Sequence, residues 1–158
     1  MLLRKKFYKN NWKNLPFKNK EFDFVISSHV LEHVEDIFYF IKELERISSK
    51  GYIEIPTKLE DNLVFENKND HKWHFEFDDV KNKLIISNRL QIIEPILTVS
   101  SIKLLNKFYR KSLVFELFWE ESINYIIENE KLHNSEKISL LKLLKKYFSK
   151  KIRKFFSK

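Results

Sequence analysis

The stretch from Phe22 to Pro56 constrains this chain more than any other. Phe22-Asp23-Phe24-Val25-Ile26-Ser27-Ser28 is unbroken apolar from Phe24 to Ile26. A strand buried on both faces reads this way. His29-Val30-Leu31-Glu32-His33-Val34 is the turn out of that strand. Ile37, Phe40, Ile41, Leu44 and Ile47 then recur at helical spacing, one apolar stripe over residues 36–49. Asp36 is placed to cap this helix and Gly51 to stop it. Tyr52-Ile53-Glu54-Ile55-Pro56 is a second short strand. Strand, turn, helix and strand make a βαβ unit, which implies an α/β fold with a parallel sheet and a helix on its face.

The rest of the chain is less regular. Residues 1–14 are basic and polar and read as extended or loop, and residues 57–71 as a polar loop. Trp73-His74-Phe75-Glu76-Phe77 alternates, Leu84-Ile85-Ile86-Ser87 is a second short run, and the turn-like residues 78–83 between them complete a β-hairpin. Residues 90–97 read as a further strand ended by Pro95. From Ser100 the pattern turns helical. Ile102, Leu105, Phe108 and Tyr109 mark one helix, and Leu113, Leu117, Ile123 and Ile126 another. After a break at His133-Asn134-Ser135, with Ser135 as N-cap, a last helix carries Ile138, Leu141, Leu144, Phe148, Ile152 and Phe155 on one face and lysines on the other. The expected organisation is an α/β part over residues 1–99 and a helical extension over residues 100–158.

The 158 residues contain no cysteine, so disulfides, zinc–thiolate sites and thiol catalysis are excluded. A reducing compartment fits, and a cytoplasmic location is the expectation. Met1 to Lys6 lead into no apolar run of a signal peptide, and no run approaches the roughly 20 apolar residues that span a bilayer. The net charge of +8 is unevenly placed. From Lys131 onward ten Lys and Arg face one acid, Glu136; the preceding 130 residues hold 20 basic and 21 acidic side chains. The body is near neutral and the tail basic.

Leu15-Pro16-Phe17, Phe22-Asp23-x-Val25, His29-Val30-Leu31-Glu32-His33-Val34, Glu43-x-x-Arg46 and Gly51 stand in one order and spacing. This run, about residues 11–56, resembles class I S-adenosylmethionine-dependent methyltransferases of type 11, which often act on small molecules, lipids or sugars. The resemblance implies a partial Rossmann-like sheet, the βαβ unit with an antiparallel hairpin at its edge. S-Adenosylmethionine is the implied cofactor. It also implies that Ser28 and His29 lie at the ligand-bearing rim, where His29 positions the acceptor or takes its proton as a general base. Asn11 and Trp12 stand where the family contacts the adenine, in place of its usual acid. Two of the family's features have no counterpart. The glycine-rich cofactor loop is missing, because Gly51 is the only glycine, and so is the ribose-binding acid. The chain therefore reads as the second half of such a domain, truncated before it.

The same residues admit other chemistry. His29-Val30-Leu31-Glu32-His33 matches H-x-x-E-H, a zinc-protease pattern that would need a third ligand such as Glu116 or Glu120. His29 follows a strand directly, so it belongs to a turn rather than a helix, and no metal site is expected. His29 also reads as a hydrogen-bonded turn residue, His33 as structural, and Glu43 and Arg46 as a surface pair. His71, Trp73 and His74 could line an acceptor pocket, although an alternating hairpin more often buries its Trp. The last helix reads first as packed on the body with its lysines solvated. An anionic membrane surface comes second and nucleic acid third. Besides an enzyme, the alternative is a non-catalytic remnant or partner subunit that completes its sheet with a second chain.

Overall fold

The structure is a computed structural model and describes residues 15–128 and 137–156, with side chains described up to residue 149. The expected loop at residues 1–14, with Asn11 and Trp12, and the N-cap Ser135 lie outside the described residues.

The βαβ unit forms as expected. Strand β1 is Val25–Ser28, helix α1 is Ile37–Ile47 and strand β2 is Lys50–Pro56. β1 and β2 pair in parallel, Val25 opposite Gly51 and Ser28 opposite Glu54. Asp36 caps α1, its carboxylate accepting from the Tyr39 N–H at 3.0 Å. The stripe Ile37, Phe40, Ile41, Leu44 and Ile47 is buried.

Two details of the unit differ. Among the described strands β1 lies at the edge of its sheet, and Ile26 on its outer face is 68% exposed, so the strand is not buried on both faces. Gly51 does not stop α1, which ends before it; it sits inside β2, where Trp119 packs directly over its backbone.

Downstream come helices α2 (Lys58–Leu63) and α3 (Asn67–Asp70), the hairpin strands β3 (Trp73–Asp78) and β4 (Lys83–Asn88), helix α4 (Val99–Leu113), strands β5 (Val114–Glu120) and β6 (Tyr125–Glu128), and helix α5 (Leu140–Phe156). The described strands form two three-stranded sheets, β1-β2-β5 and β3-β4-β6. β5 runs antiparallel to β2 and β6 parallel to β4. The hairpin is where the alternation placed it, but it builds the second sheet instead of edging the first.

Residues 57–71 are helical rather than loop, because their polar side chains are partners. Thr57 caps α2 through the Glu60 N–H. Asn62 accepts from the backbone N–H groups of Ile92 and Ile93. Those bonds occupy the donors a strand at residues 90–97 would need, and that segment contributes only isolated bridges, Val64 with Leu97 and Ile93 with Ile138. The expected helix through Leu113, Leu117, Ile123 and Ile126 is replaced by β5 and β6. Val114-Phe115-Glu116-Leu117-Phe118-Trp119 is β-branched and aromatic, and pairing with β2 over seven residues overrides the weaker helical period.

One core joins the sheets. Leu31, Val34, Ile37, Phe40, Ile41, Leu44, Ile53, Ile55, Phe75, Leu84, Ile86, Trp119 and Ile123 form a single buried cluster. Val64, Ile102, Leu113 and Val114 form a second beneath α4. The apolar row of α5 is open at the positions whose side chains are described. Leu141, Leu144 and Phe148 are each at least half exposed, against the expectation of a covered face. No helix of the described residues is long and apolar enough to cross a membrane.

Candidate functional site

A cavity of about 390 Å³ opens where β1 and β2 end, lined among others by His29, Glu32, His33, Pro56, Glu60 and His71. The carboxyl ends of parallel strands are where open α/β sheets hold ligands.

The chain reaches the cavity by a tight turn. His29 has φ of 50°, in the left-handed region, and its N–H donates to the Glu54 carbonyl at 2.8 Å, tying the turn to β2. Leu31 to His33 then make one 3-10 turn. Leu31 and Val34 drop into the core, and Glu32 between them is carried to full burial. The turn is fastened from the other sheet. The Lys72 N–H donates to the Glu32 carbonyl at 2.7 Å, and Trp73 Nε1 donates to the Val34 carbonyl at 2.8 Å.

His29 stands between two carboxylates. Its Nδ1 is 3.3 Å from Glu32 Oε1 and its Nε2 is 3.4 Å from Glu54 Oε1. The Glu32 carboxylate raises the imidazole above its ordinary pKa, against the opposing effect of burial. Ser28 points elsewhere. Its hydroxyl donates to Glu54 Oε1 at 3.1 Å, and it is not among the residues lining the cavity. Both residues were expected at the rim; His29 lines the cavity and Ser28 does not.

The opposite wall comes from residues read as loop. Glu60 on α2 is buried, which pushes its carboxyl up against the opposing hydrogen bond of Asn106 on α4. Glu66, Asn67 and Asp70 of α3 and its approach, with Lys103 on α4, complete it. Only buried acids at helical spacing after Thr57 could have signalled this wall in the sequence.

Beneath His71 lies a buried polar network. Asp61 Oδ1 is 2.5 Å from His71 Nδ1, and Oδ2 is 2.7 Å from both His74 Nε2 and Arg89 Nε. Burial opposes ionisation of Asp61, but the hydrogen bonds from His71 and His74 and the charge of Arg89 outweigh it and hold the carboxyl at about 2. His74 therefore does not line a pocket; it is a buried partner of Asp61. Trp73 packs against the core, as its place in an alternating hairpin suggests. Glu116 and Glu120, weighed as third zinc ligands, lie on β5 instead; Glu116 is engaged by Arg110 and Tyr52, and Glu120 by Lys50.

The described residues fit S-adenosylmethionine in part. Glu32, Glu60 and Glu66 line one cavity, an acidic lining that suits a cationic, hydroxyl-bearing ligand. No glycine turn follows a described strand, since Gly51 is inside β2 under Trp119.

Residues 2–53, about a third of the chain, match a family described as a methyltransferase domain, a class I type 11 family whose domains take S-adenosylmethionine as methyl donor. No curated protein and no solved structure matches the chain.

Proposed function

We propose that this chain takes part in S-adenosylmethionine-dependent methyl transfer to a small-molecule, sugar or lipid acceptor. The observation that supports this most is the cavity at the ends of β1 and β2, whose wall takes His29, Glu32 and His33 from the stretch that matches the methyltransferase domain and its other residues from the chain beyond it. When bound, S-adenosylmethionine supplies an electrophilic methyl group. The chain's own contribution is placement. Glu32 and Glu54 fix the His29 ring from both sides, so that an acceptor hydroxyl entering the cavity meets the imidazole. Glu60, whose Oε2 is buried without a partner, is the group that meets ligand hydroxyls on the far wall.

Calorimetric titration of the folded chain with S-adenosylmethionine and S-adenosylhomocysteine tests the reading. Saturable one-to-one binding that weakens at least about tenfold in His29→Ala is expected, a loss of roughly 1.4 kcal/mol. No heat with either ligand, from a chain shown to be folded by circular dichroism, removes the stand-alone enzyme.

One observation favours a second reading, a subunit whose sheet is completed by another chain. β1 is an edge strand among the described residues, and the outer face of its sheet leaves Ile26 and Phe118 open at 68% and 73% exposure across the register Ile26–Tyr52–Phe118. Such an edge invites strand pairing. Light scattering decides it: a monomer at micromolar concentration, unchanged by Ile26→Lys, speaks against pairing with a second copy.

A further inference from the structure

We propose that Glu32, His33 and His71 form a binding site for a divalent transition-metal ion, with two imidazole nitrogens and one carboxylate as ligands. Their ligand atoms all lie within 4.8 Å of one another. Both rings are oriented as metal-binding histidines are, each held through its other nitrogen. His33 Nδ1 lies 3.1 Å from the Asp70 carbonyl, and His71 Nδ1 lies 2.5 Å from Asp61 Oδ1. A carbonyl and a carboxylate beside Arg89 can only accept, so each Nδ1 carries the proton. With Nδ1 as the donor, Nε2 is the nitrogen of each ring placed to offer a lone pair to a metal. The two rings meet edge to face with centroids 4.6 Å apart.

Glu32 supplies the independent observation. Its side chain is 0% exposed, and neither carboxylate oxygen has a hydrogen-bond partner. His29 lies 3.3 Å from Oε1, and Glu60 adds a like charge nearby. A buried carboxylate so poorly compensated is costly, and a cation at its oxygens removes the cost. Glu32 lines the cavity, so coordination positions not filled by the protein open onto it. The shell behind His71 is rigid, because Asp61 is also gripped by His74 and Arg89.

The H-x-x-E-H pattern therefore carries a metal site with a changed membership. The left-handed turn at His29 leaves that residue outside the group, and His71, from the end of α3, takes its place. Two nitrogens and one oxygen suit zinc and its divalent first-row neighbours better than magnesium or calcium. This inference stands without the methyl-transfer reading.

The test is titration of the metal-free chain with zinc(II), followed by calorimetry. One-to-one saturable binding is expected. Glu32→Gln and His71→Ala should each weaken it at least about tenfold, and Asp61→Asn about 10- to 100-fold. In the unaltered chain, nitrogen NMR of the imidazoles should show zinc moving the Nε2 signals of His33 and His71 while both Nδ1–H protons remain. That readout keeps the proposal decidable if a variant fails to fold. No saturable binding, binding unchanged by the substitutions, or shifts confined to other histidines would overturn it.

Discussion

Glu43 and Arg46 are a surface pair by sequence spacing, yet they do more than pair. Arg46 Nε and Nη2 donate to the two Glu43 oxygens at 2.7 and 2.8 Å, a bidentate fork. Glu43 also accepts from the Leu15 N–H at 2.9 Å, and Arg46 donates to the carbonyls of Leu15 and Phe17. The pair clamps the Leu15-Pro16-Phe17 segment to α1. Hydrogen bonding from Arg46 holds the Glu43 carboxyl below its ordinary value, with burial opposing and the Leu15 N–H adding to the shift. The Glu43 side chain is only 7% exposed, so solvent screens the pair little. Glu43→Gln, which leaves Arg46 without its charge partner, should cost about 2–4 kcal/mol in urea unfolding at pH 7. The sign of the pH effect follows from the depressed carboxyl. Its stabilisation is complete above the unfolded value near 4.5 and fades as pH falls through the lower folded value. The gap between the parent chain and Glu43→Gln should therefore narrow on acidification below about pH 4.5. An i, i+3 pairing is legible in sequence, whereas the segment it captures 28 residues away is not, because nothing local encodes it.

At the scale of elements, Gly51 illustrates a close approach rather than a special backbone angle. A Cβ added there would meet the Trp119 ring at 2.6 Å. Trp119 is itself buried, with its Nε1 lacking a partner. Gly51→Ala should destabilise by about 1–3 kcal/mol through overpacking. In a Trp119→Phe background the penalty should shrink, since the smaller ring frees the space; a double-mutant cycle in urea reads the coupling directly. α5 presents the opposite situation, apolar side chains left at least half exposed among the described residues. Leu141, Leu144 and Phe148 are exposed, while Lys142, Lys145 and Lys146 share the helix. Association with anionic bilayers is the behaviour such a helix favours. The chain should co-sediment with phosphatidylserine-containing vesicles and not with neutral ones, and removal of residues 137–158 should abolish it. Retained binding after that removal would exclude α5 as the contact. The elements with a strong local period, α1 and the hairpin, were legible in sequence. α2 and α3 were not, because their Asp and Asn side chains look like loop composition until Asp61 and Asn62 are seen holding His71, His74 and residues 92–93.

Across the whole molecule, strands from the second half close both sheets. β5 adds to β2 over seven residues and β6 to β4 over four. Trp119 and Ile123 belong to the same buried cluster as Leu31, Ile53 and Leu84. This long-range pairing is what periodicity could not show: an apolar residue at a given spacing does not name its partner strand. The candidate site was half legible for the same reason. His29, Glu32 and His33 are contiguous in one motif, while Glu60 and His71 reach the cavity only through the packing of α2 and α3. A shared core also fixes how the chain should unfold. Near-ultraviolet circular dichroism, which follows Trp73 and Trp119 in their packed settings, should lose its signal in one transition coincident with the far-ultraviolet signal. Residues 1–99 alone should then fail to fold. They keep the βαβ unit and the hairpin but lose the partner strand of β2, the partner strand of β4 and two members of the common cluster. Without them Ile53 and Leu84 face water, and a partial sheet of two strands is marginal. The fragment should show no cooperative melt and no near-ultraviolet signal. A sigmoidal transition from residues 1–99 would instead mean that the first half is stable by itself and that β5 and β6 merely decorate it.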